Sequence, residues 1–161
     1  MPFKLTSDYA PEGDQAQAIA KELSLEFQEE PRAYAKIIQG IALLKDGNPR
    51  EAVQVLSDAN GLLDTWIGHF DLGRAYLEGG AFPQADSEFD RCLARRGEAL
   101  SFFLDEEPTY GYFPLVYFYQ GRVREGLHSS RAVESYQAYA NIRGRADEDP
   151  LLPDVLRRIG N

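Results

Sequence analysis

One stretch of the sequence, residues 33–96, contains the same pattern of small and bulky residues twice. Gly40 and Gly73 lie 33 residues apart, and superposing them aligns the residues on either side. The superposition pairs Leu43 with Tyr76, Gly47 with Gly80, Ala52 with Ala85, Leu56 with Phe89, and Ala59 with Cys92. Self-similarity at this period indicates stacked two-helix units, none of which can bury its apolar side without a neighbour. The repeat therefore predicts an array of helical hairpins.

Each hairpin has small residues where its two helices are expected to cross. Gly40 and Ala52 have no bulk that would keep the helix backbones apart, so Leu56 can fill the space beside them. The turns, at residues 45–49 and 78–83, combine Gly with Pro. Gly can adopt positive φ after the first helix, and Pro suits the first turn of the second. Both turns therefore end one helix and begin another.

A third, less regular copy follows the first two. Gly121 and Ala132 take the small positions and Tyr136 the bulky one, although the turn between them is one residue shorter. The copies resemble the tetratricopeptide repeat (TPR) over residues 33–143, which implies an all-α solenoid of stacked antiparallel hairpins. The repeats would span residues 33–64, 65–96 and 114–143, and the pattern predicts helices over 33–46, 49–60, 65–78 and 82–96 in the first two.

The segments outside the repeats are assigned from local signals. Residues 1–13 lack periodicity and predict a flexible leader. Residues 14–28 predict an N-terminal helix, ended by Glu29-Glu30-Pro31, with an apolar side formed by Ala16, Ile19, Ala20, Leu23 and Phe27. Residues 97–113 form an insertion between the second and third repeats. Residues 149–160 predict a helix that caps the stack, with Leu152, Val155, Leu156 and Ile159 on one face.

The C-terminal part carries a second resemblance. The residues from Gln120 to Tyr136, followed by residues 146–150 and 153–155, are similar to the last repeat and capping helix of TPR regions in bacterial signalling proteins. This resemblance implies a non-catalytic scaffold or adaptor that binds a partner protein or peptide, in this case on the concave face of the stack. The alternative is a small cytosolic chaperone for a secreted or assembly-prone client, which the size, acidity and three repeats suggest.

Composition argues against several other classes of protein. The net charge is −9, and residues 1–30 hold two Lys against seven Asp or Glu, which disfavours a nucleic-acid binder. The sequence has neither an apolar run of membrane-spanning length nor a signal peptide, so we expect a cytoplasmic protein without membrane association. The single cysteine, Cys92, occupies a small packing position. His69 and His128 lack partners at metal-ligand spacing, and catalytic motifs are missing, so we predict no metal, cofactor or enzymatic activity.

The face lined by the first helix of each hairpin holds the candidate binding residues. Helical spacing places on it Tyr34, Ile37, Ile41 and Leu44 in the first repeat, Ile67, Phe70, Arg74 and Leu77 in the second, and Leu115, Phe118, Arg122 and Glu125 in the third. Arg74 and Arg122 each follow a crossing glycine and could bind a carboxylate or phosphate of a docked peptide. Alternatively, both arginines pair with nearby acids such as Asp71, Glu78 or Glu125.

The insertion is dense in aromatic residues, which allows two interpretations. In the first, Phe102, Phe103 and Phe113 fold back and seal the groove between the second and third repeats. In the second, Tyr110, Tyr112 and Tyr117 project from a loop as interface anchors.

Overall fold

The computed structural model describes residues 13–100, 112–144 and 149–160 of the 161-residue chain. These residues form α-helices and a 3-10 turn at Glu98–Leu100, with no strand among them. The helices are α1 (Gly13–Ser24), α2 (Glu29–Lys45), α3 (Pro49–Leu62), α4 (Trp66–Glu78), α5 (Phe82–Ala94), α6 (Phe113–Gly126), α7 (Ala132–Arg143) and α8 (Leu152–Ile159). Residues 1–12 of the predicted leader lie outside the described residues, as do Phe102, Phe103 and Tyr110.

The described part is all-helical, and its packing is typical of a helical repeat. Each helix packs against the next one along the chain, and α4 also contacts α2 and α6. The hairpins α2–α3, α4–α5 and α6–α7 thus stack through their first helices. Among the helices described, none is long and apolar enough to span a membrane.

The helix crossings have the small-against-bulky arrangement that the sequence predicts. A Cβ added at Gly73 would lie 2.8 Å from Cε1 of Phe89, and one added at Gly121 would lie 2.5 Å from Cε1 of Tyr136. A Cβ at Gly40 would collide in the same way with Leu56. Each of the three hairpins therefore brings its helices together over a glycine.

The first helices of the three hairpins end in one conformation. After α2, the N–H of Asn48 donates to the carbonyl of Leu43 at 2.8 Å, and the equivalent bonds close α4 (Ala81 to Tyr76, 2.8 Å) and α6 (Ser129 to Arg124, 2.9 Å). The residue inside each turn has positive φ: 75° at Gly47, 76° at Gly80 and 54° at His128. This is the Schellman arrangement, in which glycine is the usual residue. The third hairpin ends its first helix in this way with histidine in the glycine position. Its helices are then separated by five residues, 127–131, against three in the other two hairpins, so the shorter turn that the sequence predicts is wrong.

The boundary between α1 and α2 differs from the prediction. α1 ends at Ser24 and not at residue 28, and α2 begins at Glu29 and not at residue 33. Pro31 lies in the first turn of α2, where its missing N–H breaks no hydrogen bond because the first N–H groups of a helix have no intrahelical acceptor. Phe27 therefore belongs to the connecting loop, where it is 100% exposed, and not to an apolar helix side. The helices of the first two repeats otherwise end within two residues of the predicted positions.

A buried aspartate precedes the last helix. Asp149 accepts hydrogen bonds from the Tyr139 hydroxyl at 2.9 Å, from Nε of Arg143 at 2.7 Å and from the N–H of Leu151 at 2.9 Å. Burial raises the pKa of Asp149, but these hydrogen bonds outweigh it and hold the pKa below its usual value. Val155 of α8 is fully buried against the last hairpin. Leu156, predicted on the same face, is instead 54% exposed, because this two-turn helix has only a narrow inward face.

Candidate functional site

An apolar groove opens on the side of the stack lined by the first helices α2, α4 and α6. Its volume is about 680 Å³. The apolar groove is lined by Tyr34, Ile37, Ile38 and Ile41 of α2, by Trp66, Ile67 and Asp71 of α4, and by Leu23, Glu30, Pro31, Ala99 and Tyr112 at its edges. Because α2 and α4 pack against each other, their outward side chains form its floor and walls. Of the residues predicted on the binding face, Tyr34, Ile37, Ile41 and Ile67 lie here.

Asp71 is the charged group at the floor of the apolar groove. It lies in the middle of α4 and is 1% exposed. Its Oδ1 accepts a hydrogen bond from Nη1 of Arg74 at 2.8 Å, whereas its Oδ2 is buried and has no hydrogen-bond partner within the described part of the chain. Burial raises the pKa of Asp71 to about 6, against the opposing effect of Arg74. A buried carboxylate with an unpaired oxygen thus belongs to the lining of a mostly apolar groove, whose other charged residue is Glu30.

Arg74 and Arg122 line a second hollow, of about 530 Å³, together with Phe118 and Tyr119. Arg74 donates to Asp71 and lies over the ring of Tyr119, 5.4 Å from its centroid. Arg122 places Nη1 3.4 Å from Oε1 of Glu78, in an exposed pair. Both arginines therefore pair with acids, which is the second of the two interpretations of the sequence.

The other predicted binding residues belong mainly to the core. Phe70, Leu77 and Phe118 are between 2% and 7% exposed, and Ile37 is 4% exposed at the groove floor. The cause is the stacking of the first helices, since α6 covers the side of α4 that a single hairpin would leave open. The Phe70 ring stacks on Trp66, with centroids 5.4 Å apart. Most of the side chains that helical spacing assigns to the binding face are thus buried in contacts between repeats.

The described residues of the insertion have different environments. Tyr112 is 52% exposed and lines the apolar groove. Tyr117 is half-buried, and its ring meets Phe113 edge to face at 5.6 Å between centroids. Phe113 itself packs against the core that joins the second and third repeats. The second interpretation makes three tyrosines interface anchors. Among those that the structure describes, Tyr112 has an exposed side chain at the apolar groove.

A charged cluster anchors the beginning of α4 beside the apolar groove. His69 is 6% exposed, and its ring lies between two carboxylates, with Nδ1 2.6 Å from Oε2 of Glu88 and Nε2 2.7 Å from Oδ1 of Asp64. Two acceptors favour the doubly protonated ring: hydrogen bonding to Glu88 raises the pKa of His69 above its usual value, although burial opposes the rise. Arg95 pairs in turn with Asp64. The sequence did not indicate this cluster, because the test of His69 as a metal ligand depends on spacing along the chain, whereas Glu88 lies on the next helix.

The described residues contain no group of three or more His, Cys, Asp or Glu side chains arranged to hold a metal ion. Cys92 is buried in the core, as its small-residue position predicts, and its carbonyl accepts a hydrogen bond from Nε1 of Trp66 at 3.0 Å.

Comparisons with protein-family models, with curated proteins and with solved structures give no match. The observations that bear on function are therefore the geometry of the apolar groove and its charges.

Proposed function

We propose that the chain is a TPR-like solenoid with capping helices at both ends, and that its concave face binds a segment of a partner protein. Three observations support the solenoid: glycine crossings recur in three hairpins, the first helices of these hairpins end in one conformation, and α2, α4 and α6 pack in series. The proposed role is that of a non-catalytic scaffold or adaptor in the cytoplasm of a bacterium, in line with the resemblance to signalling proteins.

The apolar groove is the observation that carries the binding proposal. Tyr34, Ile38, Ile41 and Ile67 are only half-buried there, although the helices that carry them are packed in the core. Apolar surface left open in this way is typical of interaction sites, and the volume of about 680 Å³ leaves room for several side chains of a docked segment. Because rigid helices hold these side chains, a partner segment would bind to a surface that is already formed.

Site-specific photo-crosslinking in cells of the source organism tests the proposal. A photoreactive phenylalanine derivative in place of Ile41 places the reactive group in the apolar groove. The same group in place of Glu51, an exposed residue of α3, provides the matched control. We expect the Ile41 position to give a discrete crosslinked protein that the Glu51 position does not give. Equal crosslinking at both positions, or none at Ile41, would contradict binding in the groove.

A further inference from the structure

We infer that the partner segment places a lysine side chain against Asp71, between apolar residues that occupy the rest of the apolar groove. This inference rests on the proposed function and specifies the chemistry of the partner. It follows from the free carboxylate oxygen, from the charges around the groove and from the shape of the groove walls.

The free oxygen of Asp71 requires a hydrogen-bond donor. A buried polar atom without a partner costs about 1–3 kcal/mol, and native structures leave few such atoms. Oδ2 is buried and unpaired within the described residues, while Oδ1 is satisfied by Arg74. Oδ2 has almost no accessible surface in the free chain, so a donor from a bound segment reaches it when the Asp71 side chain, which belongs to the groove lining, turns toward the groove. The site is thus incomplete in the free chain and becomes satisfied when a donor enters.

The charges around the groove favour a cationic donor. Asp71 and Glu30 line it, and no Lys or Arg belongs to its described lining. Arg74 and Asp71 neutralise each other as an ion pair, so Glu30 at the rim supplies the negative charge that balances an incoming cation. The chain as a whole carries a net charge of −9, which attracts basic segments from a distance.

The geometry favours lysine over arginine. An arginine reaches full strength when its planar fork binds both oxygens of a carboxylate, but Arg74 already occupies Oδ1. The compact ammonium group of lysine needs only the one remaining oxygen. The four-carbon stem of lysine can lie along the apolar walls formed by Ile37, Ile41 and Ile67 while its charged end reaches the floor. The groove therefore fits a segment with one lysine among apolar side chains.

Selection of phage-displayed random 12-residue peptides against the full chain tests this inference. We expect the selected peptides to share one lysine flanked by apolar residues. For the best synthetic peptide, replacing that lysine with norleucine should weaken binding about tenfold to a hundredfold, because a charged hydrogen bond is lost. The same replacement should change little in the Asp71→Asn variant, which keeps the shape of the side chain. Asp58→Asn, an exposed position on α3, is the matched control and should behave like the wild type.

The possible outcomes separate this inference from the proposed function. Peptides that lose affinity in Ile41→Gln but show no preference for lysine would overturn the inference and leave groove binding intact. Failure to select any peptide that depends on Ile41 would overturn both. Binding seen only in a Phe102→Ser/Phe103→Ser variant would assign the groove to the chain's own residues 101–111. A dimer in sedimentation that Ile41→Gln dissociates would assign it to a second copy, and either result would overturn the inference.

Discussion

One methyl group added at Gly73 tests the helix crossing on which the stacked hairpins depend. In Gly73→Ala the new Cβ would lie 2.8 Å from Cε1 and 2.9 Å from Cζ of Phe89. The Phe89 ring is fully buried, with neighbouring rings at Phe70 (6.2 Å) and Tyr119 (6.1 Å between centroids). The ring has no open space on these sides, so the helices must separate or the aromatic core must shift.

The expected cost combines two opposing effects. Overpacking in a filled core costs about 1–3 kcal/mol, while replacing Gly with Ala inside a helix gains about 1 kcal/mol. Gly61 of α3 provides the control, because a Cβ there would meet nothing within 4 Å. We therefore expect Gly61→Ala to be neutral or stabilising by up to about 1 kcal/mol, and Gly73→Ala to be less stable than Gly61→Ala by about 1–3 kcal/mol.

Urea unfolding followed by circular dichroism and by Trp66 fluorescence measures this difference. A double-mutant cycle adds a second check, since Gly73→Ala should cost less in a Phe89→Leu background, where the ring is absent. Equal stability of Gly61→Ala and Gly73→Ala would refute the crossing contact. Strictly additive effects of Gly73→Ala and Phe89→Leu would refute the assignment of that contact to Phe89.

Three further predictions concern a turn, the capping helix and pH. His128→Gly should stabilise the fold by about 0.5–1 kcal/mol in urea unfolding, because glycine adopts the positive φ of this turn without strain, whereas Gly80→Ala should destabilise the equivalent turn. Asp149→Ala should cost about 1–3 kcal/mol and increase hydrogen exchange in α8, because it leaves the buried Tyr139 hydroxyl without its acceptor. The pKa of His69 is raised in the folded chain above 6.5, the value in the unfolded chain. The stabilisation by protonated His69 is therefore complete below pH 6.5 and is lost as the pH rises through the folded-state pKa. His69→Gln should therefore flatten the fall in unfolding free energy above pH 6.5.

The hairpins could be predicted from the sequence because their determinants are local and periodic. Gly40 and Gly73 mark crossings, and Gly47 and Gly80 mark turns, through properties that depend on a few neighbouring residues. Pro31 was misinterpreted because proline is compatible both with the end of one helix and with the first turn of the next. The sequence pattern alone does not separate these two cases.

The candidate site could be predicted only in part, because burial depends on which helices meet. Tyr34 and Ile41 were placed on the open face and line the apolar groove, whereas Phe70 on the same predicted face is covered by its neighbours. Asp71 was considered only as a partner of Arg74. The signal that could have revealed it is an aspartate inside the otherwise apolar run of α4, but its unpaired Oδ2 is a property of the folded chain.

The seven isoleucines of the chain allow a direct test of binding in the apolar groove. Four of them line it, namely Ile37, Ile38, Ile41 and Ile67, and the others, Ile19, Ile142 and Ile159, lie elsewhere on the described surface. Methyl NMR spectra of the isoleucine-labelled chain, recorded as a selected 12-residue peptide is added, measure all seven in one titration. Binding of the peptide in the apolar groove should shift the four groove methyl signals and leave the other three unchanged. Shifts confined to Ile19, Ile142 or Ile159, with the groove signals unchanged, would contradict it.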